Sequence, residues 1–201
     1  MEIIGIAASL HAGSYINRLL EAIRGELPRG ARFESWRGLG EVPPYGPGPV
    51  PAAVRELLTL VAEADAIVLT APEHSLLPPE LDHALAWMSA GGGLAGKRVA
   101  VMCASVRACG AMWAQAELYK ELTGAGAMVL GEELVIAPVC PHFDADGRLW
   151  ARDLRARVRE MVSQLCPAPL REPACRPDAA PLREPACRAD PAPLREPALS
   201  I

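Results

Sequence analysis

Three short polar stretches hold the residues best suited to chemistry. The first is Ser9-Leu10-His11-Ala12-Gly13-Ser14-Tyr15-Ile16-Asn17. Ser9 and Ser14 supply hydroxyl donors, Asn17 an amide and His11 an imidazole. Behind them runs Arg18-Leu19-Leu20-Glu21-Ala22-Ile23, which has the spacing of a helix with one apolar face. The first N–H groups of a helix lack internal partners, and its dipole adds positive potential there. A phosphate monoester would fit such a junction. The plainer alternative is that Ser14 only caps the helix. The second stretch is Pro72-Glu73-His74-Ser75-Leu76, and the third is Ser105-Val106-Arg107-Ala108-Cys109-Gly110.

These stretches need elements to hold them together, and the hydrophobic pattern supplies them. Ile3–Ala8 is an apolar run that predicts a buried strand. Ala31–Trp36 alternates and predicts a second strand. Gly38–Pro51 is rich in Gly and Pro and predicts a loop. A helix follows from Pro51 to Glu63, with Pro in its first turn. Asp65–Ala71 is a third strand, apolar throughout, as in a sheet covered on both faces. Helix Glu80–Ser89, strand Lys97–Ala104 and helix Ala111–Thr123 come next. Ala127–Leu130 and Leu134–Ala137 form a fifth strand broken around Gly131. Asp144–Gly147 is a turn, and Trp150–Leu165 a last amphipathic helix.

Strands alternating with helices imply a parallel sheet, because each parallel connection needs a crossover. Five strands suit the doubly wound order 2-1-3-4-5, an α/β fold with helices on both faces and a ligand crevice between strands 1 and 3. That order sets the Ser9–Asn17 and Pro72–Leu76 loops side by side. One could hold a phosphate while the other flanks a planar ring.

Composition narrows the classes. The 201 residues are 51% hydrophobic, enough for one well-buried domain. A net charge of −4 without a basic run argues against nucleic acid. Met1-Glu2 followed by a short apolar run is unlike a signal peptide, and no stretch approaches the roughly 20 apolar residues of a membrane span. The six cysteines form no Cys-x-x-Cys pair, and no histidine spacing suggests a metal site. Reduced thiols in a cytoplasm are the expectation.

Residues 1–166 read as the domain, and residues 167–201 differ in kind. Pro169-Leu170-Arg171-Glu172-Pro173-Ala174-Cys175-Arg176 recurs twelve residues later from Pro181, and again, shortened, from Pro193. Proline is too frequent there for helix or sheet interiors, which predicts a disordered or extended appendage.

From Ile3 to about Leu165 the chain resembles the NADPH-dependent FMN reductase family of flavodoxin-like proteins, which includes flavin, quinone, azo-dye and chromate reductases. The family's first loop reads G-S-L-R-x-x-S-x-N; here it is Ala8–Asn17 with one extra residue. Its third-strand motif T-P-E-Y-N-G-S-x-P-G-x-L-K-N-A-L-D-W is matched in part by Ala71-Pro72-Glu73 and by Leu81 to Trp87. Leu94-Ala95-Gly96-Lys97-Arg98-Val99-Ala100 and Phe143–Leu149 also match.

The resemblance implies FMN with NADPH or NADH as co-substrate, and hydride passing through the flavin to a flavin, quinone or other small acceptor. It also implies a homodimer or homotetramer. Ser9, His11, Ser14, Tyr15, Ile16 and Asn17 fall on the phosphate loop. Pro72, Glu73, His74, Ser75 and Leu76 fall on the ring loop, and Ser105 and Gly110 on the ring's other side. His74 could protonate a quinone-like acceptor near neutral pH, or be a surface histidine. The departures lie on the flavin site. His11 replaces the usual Arg, His74-Ser75-Leu76 replaces Tyr-Asn-Gly, and Val106–Gly110 replaces a Gly-rich stretch. A specialised or weakened site follows, and with it the alternative of a non-redox protein binding another ligand or a protein partner.

Overall fold

The computed structural model describes residues 1–72, 78–105, 112–130 and 134–166, with backbone only for 112–114. The repeat-bearing stretch from 167 onwards lies outside the described residues.

Among the described residues six strands and five α-helices follow one another: β1 (Glu2–Ala7), α1 (Tyr15–Arg24), β2 (Arg32–Trp36), α2 (Ala52–Glu63), β3 (Ala66–Pro72), α3 (Pro79–Ala90), β4 (Arg98–Ala104), α4 (Met112–Gly124), β5 (Met128–Val129), β6 (Leu134–Ile136) and α5 (Arg152–Leu165). The strands pair in parallel in the order β2-β1-β3-β4-β5, with β6 also on β4. The predicted broken fifth strand is thus two short ones on the same edge. β5 pairs with Arg98 and Val99, and β6 with Met102 to Ala104.

Strand alternation sends successive side chains to opposite faces and makes two cores. Ile4, Ile6, Ile67, Leu69 and Val101 pack with Val54, Leu57, Leu85 and Met88 of α2 and α3. Ile3, Val68, Ala100 and Met102 pack with Leu19, Leu20 and Ile23 of α1 and with Val158, Met161 and Val162 of α5. Gly5 faces the second core, where a Cβ would stand 2.4 Å from Phe33 Cζ and 2.9 Å from Leu20 Cδ1. Only glycine lets the Phe33 ring and α1 close over β1 at this point.

Two local expectations change. The Gly38–Pro51 loop begins with a short 3-10 turn at Leu39–Glu41, because buried Leu39 anchors it in the first core. The last helix begins at Arg152 rather than Trp150. Trp150 is exposed, and its indole N–H donates to the Pro141 carbonyl at 3.1 Å. On α3, His83 is half-buried with Nδ1 3.2 Å from the Val42 carbonyl. Beside it the Trp87 indole N–H donates to Pro43 O at 2.9 Å, and Tyr45 meets the Trp87 ring edge-on. The two side chains of α3 thereby pin the Pro-rich loop.

The end of α1 is tied to α5. Glu26, just past the helix, is buried, and its two carboxylate oxygens accept from Arg155 Nε and Arg159 Nη2. A buried carboxylate is tolerated only when paired in this way.

Candidate active site

The site is built on the carboxyl edge of the sheet, where β1, β3 and β4 end together. Ala7 is opposite Thr70, and Pro72 opposite Ala104. Beyond the strands, Ala8 N–H still donates to Thr70 O at 2.7 Å, and Ser105 N–H to Ile136 O at 2.9 Å. The chain therefore leaves the sheet at Ser9, Pro72 and Ser105 from three adjacent positions. Pro72 is half-buried and Ser105 buried. Glu73, His74, Ser75 and Leu76 lie outside the described residues, as do Cys109 and Gly110.

The loop after β1 is wound around one side chain. Asn17 Nδ2 lies 3.1 Å from the Ser9 carbonyl, 2.8 Å from the His11 carbonyl and 3.1 Å from Ser14 Oγ. Its amide hydrogens are spent within the loop, so Asn17 shapes the cradle instead of adding a donor to it. Ser14 is the N-cap of α1, as the plainer alternative had it. Its Oγ accepts from Asn17 N–H at 3.3 Å as well as from Nδ2. A hydroxyl that accepts two N–H groups keeps its own proton for a third partner. Capping and anion binding are thus compatible uses of one side chain.

Among the described residues, the backbone N–H groups of Leu10, His11, Ala12, Gly13, Tyr15 and Ile16 meet no acceptor. They cluster where α1 begins, at the positive end of its dipole. His11 and Gly13 are exposed at the loop tip, with the His11 ring against Gly13. A phosphate fits this donor set. Of the residues expected here, Ile16 is buried in the core and Tyr15 packs away from the loop, so each brings only its N–H. The Tyr15 ring lies 5.6 Å from that of Phe143, and the Arg18 guanidinium sits 5.4 Å above it. A hydrogen bond with Cys140 holds the Tyr15 phenol above its ordinary range. The thiol's charge and burial push the same way, and Arg18 opposes them.

A groove of about 450 Å³ opens at Ala12 and Asn17 and runs along α1. Arg18 and Arg37 line it, and Arg148 and Arg155 face it from the 144–149 turn and α5. No spacing in the sequence joins these arginines; only the fold does. Among the described residues no cluster of three or more His, Cys, Asp or Glu could hold a metal ion, and no helix is long and apolar enough to cross a membrane.

A doubly wound sheet with a donor-lined loop at its switch point defines a mononucleotide-binding, flavodoxin-like α/β protein. The chain belongs to the NADPH-dependent FMN reductase family, whose model matches residues 1–139. It is accordingly an oxidoreductase that uses FMN and NAD(P)H. It is 28% identical over 172 residues to the NAD(P)H-dependent FMN reductase PA1204 of Pseudomonas aeruginosa, covering 82% of this chain and 90% of that protein. Its fold is like that of FerB, a flavoenzyme NAD(P)H:(acceptor) oxidoreductase from Paracoccus denitrificans. That match has a TM-score of 0.70 and 21% identity, over 82% of this chain and 96% of FerB. The NAD(P)H:quinone oxidoreductase of Methanothermobacter marburgensis is a second fold match, with a TM-score of 0.59 and 16% identity over 84% of this chain and 98% of that one.

Proposed function

We propose that this protein passes reducing equivalents from NAD(P)H to a small acceptor, a free flavin or a quinone, with FMN seated on the 9–17 loop. The observation that carries this is the double use of Ser14. Its oxygen accepts from two Asn17 N–H groups, which leaves its proton free for an acceptor that the unpaired backbone N–H groups around it would also bind. Ser9 and Ser14 would hold the FMN phosphate with the N–H groups of residues 10–13, 15 and 16. His11 stands where the family has Arg and offers an imidazole in its place.

FMN, when bound, supplies the hydride chemistry. The chain's own part is to orient and to exclude water. The parallel pairing of β1 and β3 would fix the spacing between the phosphate loop and the start of the ring loop at Pro72. Glu73, Ser75, Leu76, Ser105 and Gly110 would border the ring, and His74 would deliver a proton to a quinone-like acceptor. The working unit we propose is a homodimer or homotetramer in the cytoplasm. Family membership weighs against a non-redox role.

An absorption spectrum tests the proposal. The purified protein, or the protein reconstituted with FMN, should be yellow, and NADPH without air should bleach it. Adding a quinone should restore the colour. A chain that stays colourless after reconstitution overturns the flavin site, and one that bleaches but is not reoxidised by quinone or flavin overturns the acceptor class.

A further inference from the structure

Resting on the flavoenzyme function proposed above, we infer that Arg18 and Arg148 seat the 2′-phosphate of NADPH and so select it over NADH.

The groove along α1 holds more positive charge than it neutralises. Its two carboxylates are Glu21 and Glu26, and both are taken. Glu21 pairs with Arg37 at 2.9 Å and with Arg24 at 3.6 Å. Glu26 is held by Arg155 and Arg159. Among the described residues this leaves Arg18 with no carboxylate partner. Arg148 has only a 3.9 Å contact with Asp146, and both of those side chains are mostly exposed. Two guanidinium groups facing one groove repel each other unless an anion lies between them.

The Arg18 side chain is also pre-positioned. It stacks on the Tyr15 ring and runs against the backbone of Gly147, where a Cβ would stand 3.2 Å from Arg18 Cζ. Gly147 has φ +76°, the left-handed region that suits glycine. Its missing side chain lets the turn carrying Arg148 close over Arg18. Arg148 N–H in turn donates to Asp144 Oδ1 at 2.8 Å, which fixes the turn. A fork held by stacking loses less entropy when it binds, and guanidinium–phosphate bonds are among the stronger polar contacts.

The chemistry of the reaction names the anion. The 9–17 loop has donors for one phosphate, that of the flavin. The groove begins beside that loop, at Ala12 and Asn17, and continues away from it. Among the molecules this reaction uses, the 2′-phosphate of NADPH is the phosphate monoester that every turnover with that donor brings to the site, whereas a free flavin or quinone acceptor need carry none. It is also the sole chemical difference between NADPH and NADH.

The test is a calorimetric titration of the full chain with 2′,5′-ADP, 5′-AMP and inorganic phosphate. Two charge-assisted contacts predict that 2′,5′-ADP binds about tenfold to a hundredfold more tightly than 5′-AMP. Arg18→Gln and Arg148→Gln should each remove most of that difference. The ratio of kcat/KM for NADPH to that for NADH should fall with it. Arg148 is exposed on a turn, so its substitution leaves the fold intact even if that of Arg18 does not. Equal binding of 2′,5′-ADP and 5′-AMP to the native chain overturns the inference, as does discrimination that survives in Arg148→Gln. Inorganic phosphate binding as tightly as 2′,5′-ADP overturns the dinucleotide assignment. The titration needs no flavin. A chain that prefers 2′,5′-ADP yet takes up no FMN therefore refutes the proposed flavin site and not the arginine seat.

Discussion

Replacing Asn17 separates a residue that binds from one that shapes. Its Nδ2 carries two hydrogens and has three acceptors within 3.1 Å: Ser9 O, His11 O and Ser14 Oγ. Asn17→Ala removes two bonds of ordinary strength, each worth about 0.5–1.5 kcal/mol net. A loss of about 1–3 kcal/mol corresponds to roughly 5- to 150-fold in an equilibrium constant. The loop is largely exposed, and most of its N–H groups have no partner among the described residues. Most of the cost should therefore appear when the loop must be ordered around the phosphate, and less in global stability. FMN titration followed by flavin fluorescence should show Kd raised by at least fivefold, with a small fall in Tm. Asn17→Asp keeps the side-chain shape, loses both donors, and sets a carboxylate against two carbonyls and the phosphate. It should bind FMN more weakly than Asn17→Ala. Wild-type affinity in Asn17→Ala, or tighter binding by Asn17→Asp than by Asn17→Ala, would refute this account of the loop.

Two further outcomes follow from the packing and the charges. Gly5→Ala puts a Cβ 2.4 Å from Phe33 Cζ, an overpacking that should cost about 1–3 kcal/mol in urea denaturation. Phe33→Leu in the same chain should recover part of that loss, and a Gly5→Ala midpoint equal to wild type would contradict the close approach. Asp82 is exposed, yet partial desolvation by its neighbours, and after it Glu117 and Glu121, raise its carboxyl above the ordinary range, with His83 opposing. The folded state thus holds that proton more tightly than the unfolded chain. The group's contribution to stability is present in acid and is lost as pH rises through the folded pKa. Asp82→Asn should therefore unfold at a higher urea concentration than wild type at pH 7, and the gap should close near pH 3. A gap that widens on acidification would reverse the assigned sign.

The sheet was legible because its strands are apolar runs set between helices with one apolar face. Ile3–Ala8, Asp65–Ala71 and Lys97–Ala104 are near-continuous, as interior parallel strands must be, and their order follows from crossover geometry. The 3-10 turn at Leu39 was not legible, since one apolar residue among glycines and prolines sets no period. In the site, residue types identified the 9–17 loop but not the direction of its hydrogen bonds. Asn17 and Ser14 could each have faced a ligand or the backbone; in the fold the Asn17 amide turns inward and Ser14 caps α1. Arg18 and Arg148 were invisible as a pair because 130 positions separate them and the packing of the 143–149 turn on α1, Gly147 on Arg18 and Phe143 on Tyr15, brings them together.

The clamp on Glu26 ties the loop to a distant part of the chain. The family model's match ends at residue 139, before α5 starts, yet Arg155 and Arg159 grip the heel of the helix whose tip carries the 9–17 loop. α1 behaves as a lever anchored at its far end. Trimming the protein back to residues 1–139 would leave the loop's every residue in place and take away what keeps it still.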